Sequence, residues 1–261
     1  MTSVSLGGVI VTGAARGIGL AIARNLAETG YGVVIADIDD KAGTKAVEDI
    51  KAKGGKAIYC NVDVSNRASV ATSVAACEKA FSFIFAIVNN AGFNRPQHFL
   101  ETTEDNWDRI MKVNALGVLI GTQEVAKALI AAGTKGKIVN TASIAGRSGD
   151  AEWAPYCASK AAVISLTQAG ARALAKNGIT VNAFAPGVVE TELWEQLDKD
   201  LMDMGISSKP GEAMGNFAKN ILLGRTSTPA DVVGTVAFLI SPASNYMTGQ
   251  CLMIDGGMII Q

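Results

Sequence analysis

The chain has 261 residues, 49% apolar and 18% charged, with 28 glycines, which is material for a large buried core and excludes a disordered or fibrous protein. Its 23 basic and 24 acidic residues leave a net charge of −1 with no basic run, which argues against nucleic acid and anionic membrane surfaces as partners. Four widely spaced cysteines (Cys60, Cys77, Cys157, Cys251) and one histidine, His98, make no zinc-type cluster, so no metal is expected and the thiols suit a reducing compartment.

The first residues, through Gly13, lack a basic region with a cleavage signature, and apolar runs such as Phe83 to Val88 and Val232 to Ile240 fall short of a bilayer span; a cytoplasmic protein is expected. Gly8 to Val11 reads as a buried strand feeding Thr12-Gly13-Ala14-Ala15-Arg16-Gly17-Ile18-Gly19, and an apolar-periodic helix follows until Gly30. Strand, glycine turn and helix form the context in which glycines bind a dinucleotide pyrophosphate. Gly13 allows the turn, Gly17 the close approach of the backbone and Gly19 the close packing of the helix, whose N-terminus faces the anion.

The next strand, Gly32 to Ala36, ends at Asp37, 18 residues after Gly19, where a carboxylate can bond the adenosine ribose and repel a 2′-phosphate. Arg16 pulls the other way, because a guanidinium in the turn can meet that phosphate. Asp37 should win, which makes NAD the expected cofactor. Lys41 to Lys53 reads as a helix and Ala57 to Cys60 as a strand. Asp63 and Val64 follow in a loop within reach of an adenine ring, and Ser65 is the expected N-cap of a helix through Lys79. Phe83 to Val88 is a fourth strand, running into Asn89-Asn90-Ala91-Gly92. This alternation predicts one α/β domain over 1–261, a Rossmann-type doubly wound parallel sheet with helices on both faces.

Thr103 to Ala132 reads as a long helical region with Asn114 inside it, either a satisfied core amide or a functional kink. Lys137 to Thr141 is a strand that delivers Ser143 to its C-terminal end, the edge where open α/β sheets bind ligands. Pro155 suits the first turn of the following helix, in which Tyr156 and Lys160 stand one turn apart, with Cβ atoms about 5–6 Å from each other. A free phenol ionises near pH 10, so work as a base near neutrality needs a fall of roughly 2–3 units. A lysine charge at about 6 Å and an effective dielectric near 20 supplies about 2 units, and an oxidised nicotinamide could supply the rest. The strand Ile179 to Phe184 then leads to Pro186-Gly187.

With these pieces the sequence resembles the short-chain dehydrogenase/reductase family over essentially its whole length. The matching motifs are Thr12-Gly13-x-x-x-Gly17-x-Gly19, Asp63-Val64, Asn89-Asn90-Ala91-Gly92, Asn114, Ser143, Tyr156-x-x-x-Lys160, Pro186-Gly187 and Asp255-Gly256-Gly257. The resemblance implies Tyr156 as acid/base, Lys160 as the group that lowers its pKa and holds the nicotinamide ribose, and Ser143 as the holder of the substrate oxygen. It implies that Asn114 keeps a water in a proton relay to Lys160. It also implies a cofactor groove that includes Arg16, Ile18, Asn90, Ala91, Gly92, Pro186, Gly187, Val189 and Thr191, the last at the carboxamide. Ala86 departs from the acidic residue that many members carry there, without bearing on catalysis.

Within the family, Ala145-Gly146-Arg147, Tyr156-Cys157-Ala158-Ser159-Lys160 and Val188-Val189-Glu190-Thr191-Glu192-Leu193-Trp194 are similar to bacterial NAD-dependent polyol dehydrogenases and acetoin reductases (butanediol dehydrogenases). The expected substrate is therefore a small polyol, vicinal diol or hydroxyketone. A β-ketoacyl thioester reductase using NADPH is the runner-up, and a non-catalytic NAD-sensing regulator the alternative of another class. The segment 188–225 would be an irregular substrate lid, with Trp194 lining the substrate site and two of Met202, Met204 and Met214 simply packing in the core. Two helical regions, Ile110 to Ala132 and Ala161 to Ala175, are more apolar than one buried face needs, and the family habit of pairing such helices predicts a homotetramer.

Overall fold

The structure is a computed structural model and describes residues 6–260. Strands β1 (Gly8–Thr12), β2 (Gly32–Asp37), β3 (Lys56–Asn61), β4 (Ile84–Asn89), β5 (Gly136–Thr141), β6 (Ile179–Pro186) and β7 (Cys251–Ile254) form one parallel sheet in the order β3-β2-β1-β4-β5-β6-β7. Helices α1 (Gly17–Glu28), α2 (Asp40–Ala52) and α9 (Pro229–Ile240) cover one face; α3 (Arg67–Phe81), α5 (Gly117–Ala131) and α6 (Ala154–Leu174) cover the other. The strands alternate between the two cores. Val9 and Val11 pack with Ile22, Leu26 and Val236, whereas Ile10 packs with Val70, Val125 and Leu129. The unbroken apolar run Val9-Ile10-Val11 in β1 therefore reflects burial on both sides, as a doubly wound sheet requires.

The strand order reverses between β1 and β4, which leaves a crevice at their C-terminal ends. The two ends are tied together. Thr12 Oγ1 accepts from the Asn90 and Ala91 N–H groups at 2.9 and 3.0 Å, and Asn90 Nδ2 donates to the Thr12 carbonyl at 3.0 Å.

Three local expectations change. Asn66 rather than Ser65 caps α3: Asn66 Oδ1 accepts from the Ala68 and Ser69 N–H groups, while the Asp63 carboxylate captures the Ser65 hydroxyl at 2.7 Å. The region 103–132 is not one regular helix. Helix α4 (Glu104–Met111) widens into a π turn at Lys112–Leu116 before α5 resumes. The extra residue lets Asn114 reach inward, and Gly117 passes so close to Val64 that a Cβ there would lie 2.8 Å from its Cγ2. This stretch, Glu104–Ala131, has the length and hydropathy of a membrane span, but 56% of its apolar window is buried within the fold. Finally, 188–225 is half helical rather than wholly irregular, with α7 (Glu192–Asp203) and α8 (Glu212–Ala218).

Candidate active site

The chemistry gathers at the C-terminal edge of the sheet. Gly13 and Gly17 adopt φ of +62° and +55°, where a Cβ is disfavoured, and a Cβ on Gly19 would collide with the Gly13 carbonyl and lie 2.6 Å from Asn90 Nδ2. Helix α1 opens without a side-chain cap, so its first N–H groups face the crevice. A groove of about 450 Å³ runs from this turn to Tyr156 and Lys160, with Ile18, Asn90 and Gly92 along it. Pro186, Gly187, Val189 and Thr191 line its far side. A narrow glycine turn, an uncapped helix start and a long groove fit a dinucleotide.

Asp37 ends β2 beside the turn, where its two carboxylate oxygens accept from the Ala15 N–H at 2.9 Å and the Asp39 N–H at 3.1 Å. Arg16 is half-exposed and engaged by two carboxylates. It pairs with Asp39 and, at 3.1 Å, with Glu192 at the start of α7. Two carboxylates, one from the loop after β2 and one from α7, thus share its charge.

Ser143 stands just beyond β5, and its Oγ accepts from the Ala145 N–H at 3.2 Å. Lys160 is buried on α6; its Nζ donates to the Thr141 carbonyl at 2.8 Å and lies 5.6 Å from the centre of the Tyr156 ring. Burial pushes the Tyr156 phenol up to about 12, against an opposing pull from the Ser143 hydroxyl, and pushes Lys160 down to about 8. Burial is the main cause for both groups, so each is held toward its neutral form. Desolvation penalises the phenolate and the ammonium alike.

Asn114 resolves its two readings by joining them: it is a satisfied core amide at a kink. Its Oδ1 accepts from the Phe93 N–H at 3.0 Å, and its Nδ2 donates to the Phe93 carbonyl at 2.9 Å and to Ser159 Oγ at 3.1 Å. The side chain does not bond Lys160.

A second cavity of about 70 Å³ opens beside Ser143 and Tyr156 and is walled by Trp153, Trp194 and Phe217. These rings form one cluster, with centroids 5.2–6.0 Å apart. Met214 packs against it, whereas Met202 and Met204 are half-buried outside it.

A family model described as enoyl-(acyl carrier protein) reductase matches residues 13–259. The chain is 40% identical over 253 residues to an L-2,3-butanediol dehydrogenase of Corynebacterium glutamicum, covering 96% of this chain and 97% of that protein. The chain belongs to the short-chain dehydrogenase/reductase family. A galactitol 2-dehydrogenase of Agrobacterium fabrum is 41% identical, with 95% of each chain covered. A short-chain type dehydrogenase/reductase from Mycobacterium marinum superposes with a TM-score of 0.89 at 33% identity, covering 98% of this chain and 97% of that one. This short-chain dehydrogenase/reductase is thus an oxidoreductase acting on CH–OH groups with a nicotinamide cofactor.

Of the cofactor residues expected in this short-chain dehydrogenase/reductase, Asp37, Asp63, Val64 and Ala91 are not among those lining the groove. Asp63 sits in the loop after β3, bonded to Ser65, and Val64 is buried against Gly117. Ala91 lies behind the Gly13 turn, 2.8 Å from where a Cβ of that glycine would stand. Sequence reasoning missed Asp39, Asn94, Trp153 and Phe217. Trp153 had a signal, one helical turn before Tyr156; Phe217 had none, because helix packing alone brings it in.

Proposed function

We propose that the chain is an NAD-dependent dehydrogenase that converts one secondary hydroxyl of a small vicinal diol or polyol to a ketone, and reduces the corresponding hydroxyketone in reverse. The observation that carries this reading is the position of Ser143 and Tyr156 between the groove and the small aromatic-walled cavity, with Lys160 on the groove side. A substrate carbon held there has its oxygen against two hydroxyls and its hydrogen toward the groove. Ser143 holds the oxygen, Tyr156 accepts its proton, and Lys160 supports both Tyr156 and the nicotinamide ribose. Bound NAD supplies the hydride acceptor and a positive charge beside the phenol. The named dehydrogenases of butanediol and galactitol among the relatives support the substrate class.

NAD is favoured over NADP because Asp37 is held by two backbone N–H groups at the strand end and Arg16 is engaged by Asp39 and Glu192. The same arrangement disfavours the NADPH-dependent β-ketoacyl reductase reading. The segment 188–225 serves as the lid, with Trp194 lining the substrate site and Arg16–Glu192 tying it to the glycine turn. The working form is a cytoplasmic homotetramer.

Purified protein with NAD and a panel of 2,3-butanediol, galactitol, sorbitol and xylitol should form NADH. Retention of NAD with no turnover of any alcohol, or of the matching ketones with NADH, favours a nucleotide-sensing regulator instead.

A further inference from the structure

The 70 Å³ cavity holds two polar groups that the catalytic reading does not use. Asn94, on the loop after β4, is only 7% exposed, and its Oδ1 is buried with no hydrogen-bond partner among the described residues. Trp153, at the N-cap of α6, has its Nε1–H buried and unpaired in the same way. The ring is held by Trp194 and Phe217, so the N–H cannot easily swing out to solvent. Buried polar groups in folded proteins are nearly always bonded, and two orphans in one cavity beside the reacting hydroxyls point to a ligand that completes them.

The chemistry of the pair says which ligand. An indole N–H only donates, and an amide oxygen only accepts. One hydroxyl meets both needs, since it accepts and donates at once. A methylene meets neither. We propose that Asn94 and Trp153 recognise the hydroxyl on the carbon next to the reacting one, so that the enzyme selects vicinal diols and α-hydroxyketones over isolated alcohols and ketones. This rests on the proposed function and adds its specificity determinant. In the oxidation direction the preference cannot come from intrinsic reactivity. A neighbouring oxygen withdraws electrons and makes the carbinol hydride harder to remove, so binding must supply the selectivity.

The test compares kcat/KM for 2,3-butanediol and 2-butanol, which share a carbon skeleton, using NAD. A site built to bond a hydroxyl should favour the diol by at least about a hundredfold. Trp153→Phe keeps the ring and removes the N–H; Asn94→Leu keeps the size and removes the acceptor. In either variant the diol-to-butanol ratio should fall at least about tenfold, mainly through KM for the diol, with thermal melting used to confirm folding. A purely structural role would lower both substrates together and leave the ratio unchanged. An unchanged ratio in either folded variant overturns the proposal, as does a wild-type enzyme that uses 2-butanol as well as the diol. Absence of turnover with both alcohols and with their ketones defeats the proposed function instead, so the two failures are distinguishable.

Discussion

Tyr156 and Lys160 meet as two desolvated groups, each pushed toward its neutral form. Because Lys160 falls from 10.5 to about 8 on folding, the unfolded chain holds the extra proton between those values. Stability from this group therefore rises with pH across that window, by up to about 3 kcal/mol. The difference in unfolding free energy between wild type and Lys160→Met should shift in favour of wild type by roughly that amount between pH 7 and 10.5, measured by urea titration. In turnover, Tyr156→Phe should lower kcat for diol oxidation at least about a thousandfold while NAD still binds. Cofactor choice belongs to this scale too. Wild type should prefer NAD over NADP by at least about a hundredfold in kcat/KM, near 2.7 kcal/mol. Asp37→Ala should narrow the gap from both sides. Adding Asp39→Asn, which keeps an oxygen for the α2 cap but removes one of the two carboxylate charges on Arg16, should improve NADP further. If wild type uses both cofactors equally, Asp37 does not discriminate.

Between elements, the site depends on close approaches and on a buried polar chain. Gly146 lies in the short turn after Ser143, where a Cβ would sit 2.8 Å from the backbone carbon and oxygen of Lys160. Gly146→Ala should push this turn off α6 and separate Ser143 from Tyr156. A fall in kcat with a stability loss of roughly 1–3 kcal/mol is expected, checked by kinetics and calorimetry. Deeper in, Asn89 Nδ2 donates to Asn140 Oδ1 at 2.9 Å, and Asn140 Nδ2 donates to Thr167 Oγ1 at 3.0 Å, linking β4, β5 and α6. Asn140→Ala takes one hydrogen bond from each of two buried partners, which keep their bonds to Thr122 and to the Val163 carbonyl, and should cost about 1–3 kcal/mol in chemical denaturation.

For the whole molecule, α5 and α6 leave an apolar groove of about 490 Å³ between them, bordered by Leu119, Ile130, Leu166 and Ala169. Pairing of this face with a second copy would bury it and, through α6, brace Tyr156 and Lys160. Light scattering at micromolar concentration should give a tetramer. Ala169→Arg, at an exposed position of the groove, should yield a smaller species with reduced activity. A wild-type monomer in that experiment removes the assembly from the reading.

The parallel, doubly wound sheet, the glycine turn and the Tyr156–Lys160 pair were legible in the sequence because each rests on a local rule. Strands buried on both faces are continuously apolar, βα crossovers alternate, and residues four apart share a helical face. The positions of Ser143 and the turn glycines followed from the same local logic. What tertiary structure decided is what depends on neighbours distant in the chain. The π turn at Lys112–Leu116 follows from Asn114 bonding Phe93 and Ser159, which no periodicity encodes. The pairing of Arg16 with Asp39 and with Glu192, 176 residues away, rests on no local rule. The rise of Tyr156 and the fall of Lys160 come from how much protein surrounds them, and spacing alone supplies only their mutual attraction. Trp153, Trp194 and Phe217 become one wall only when α7 and α8 fold over the sheet edge.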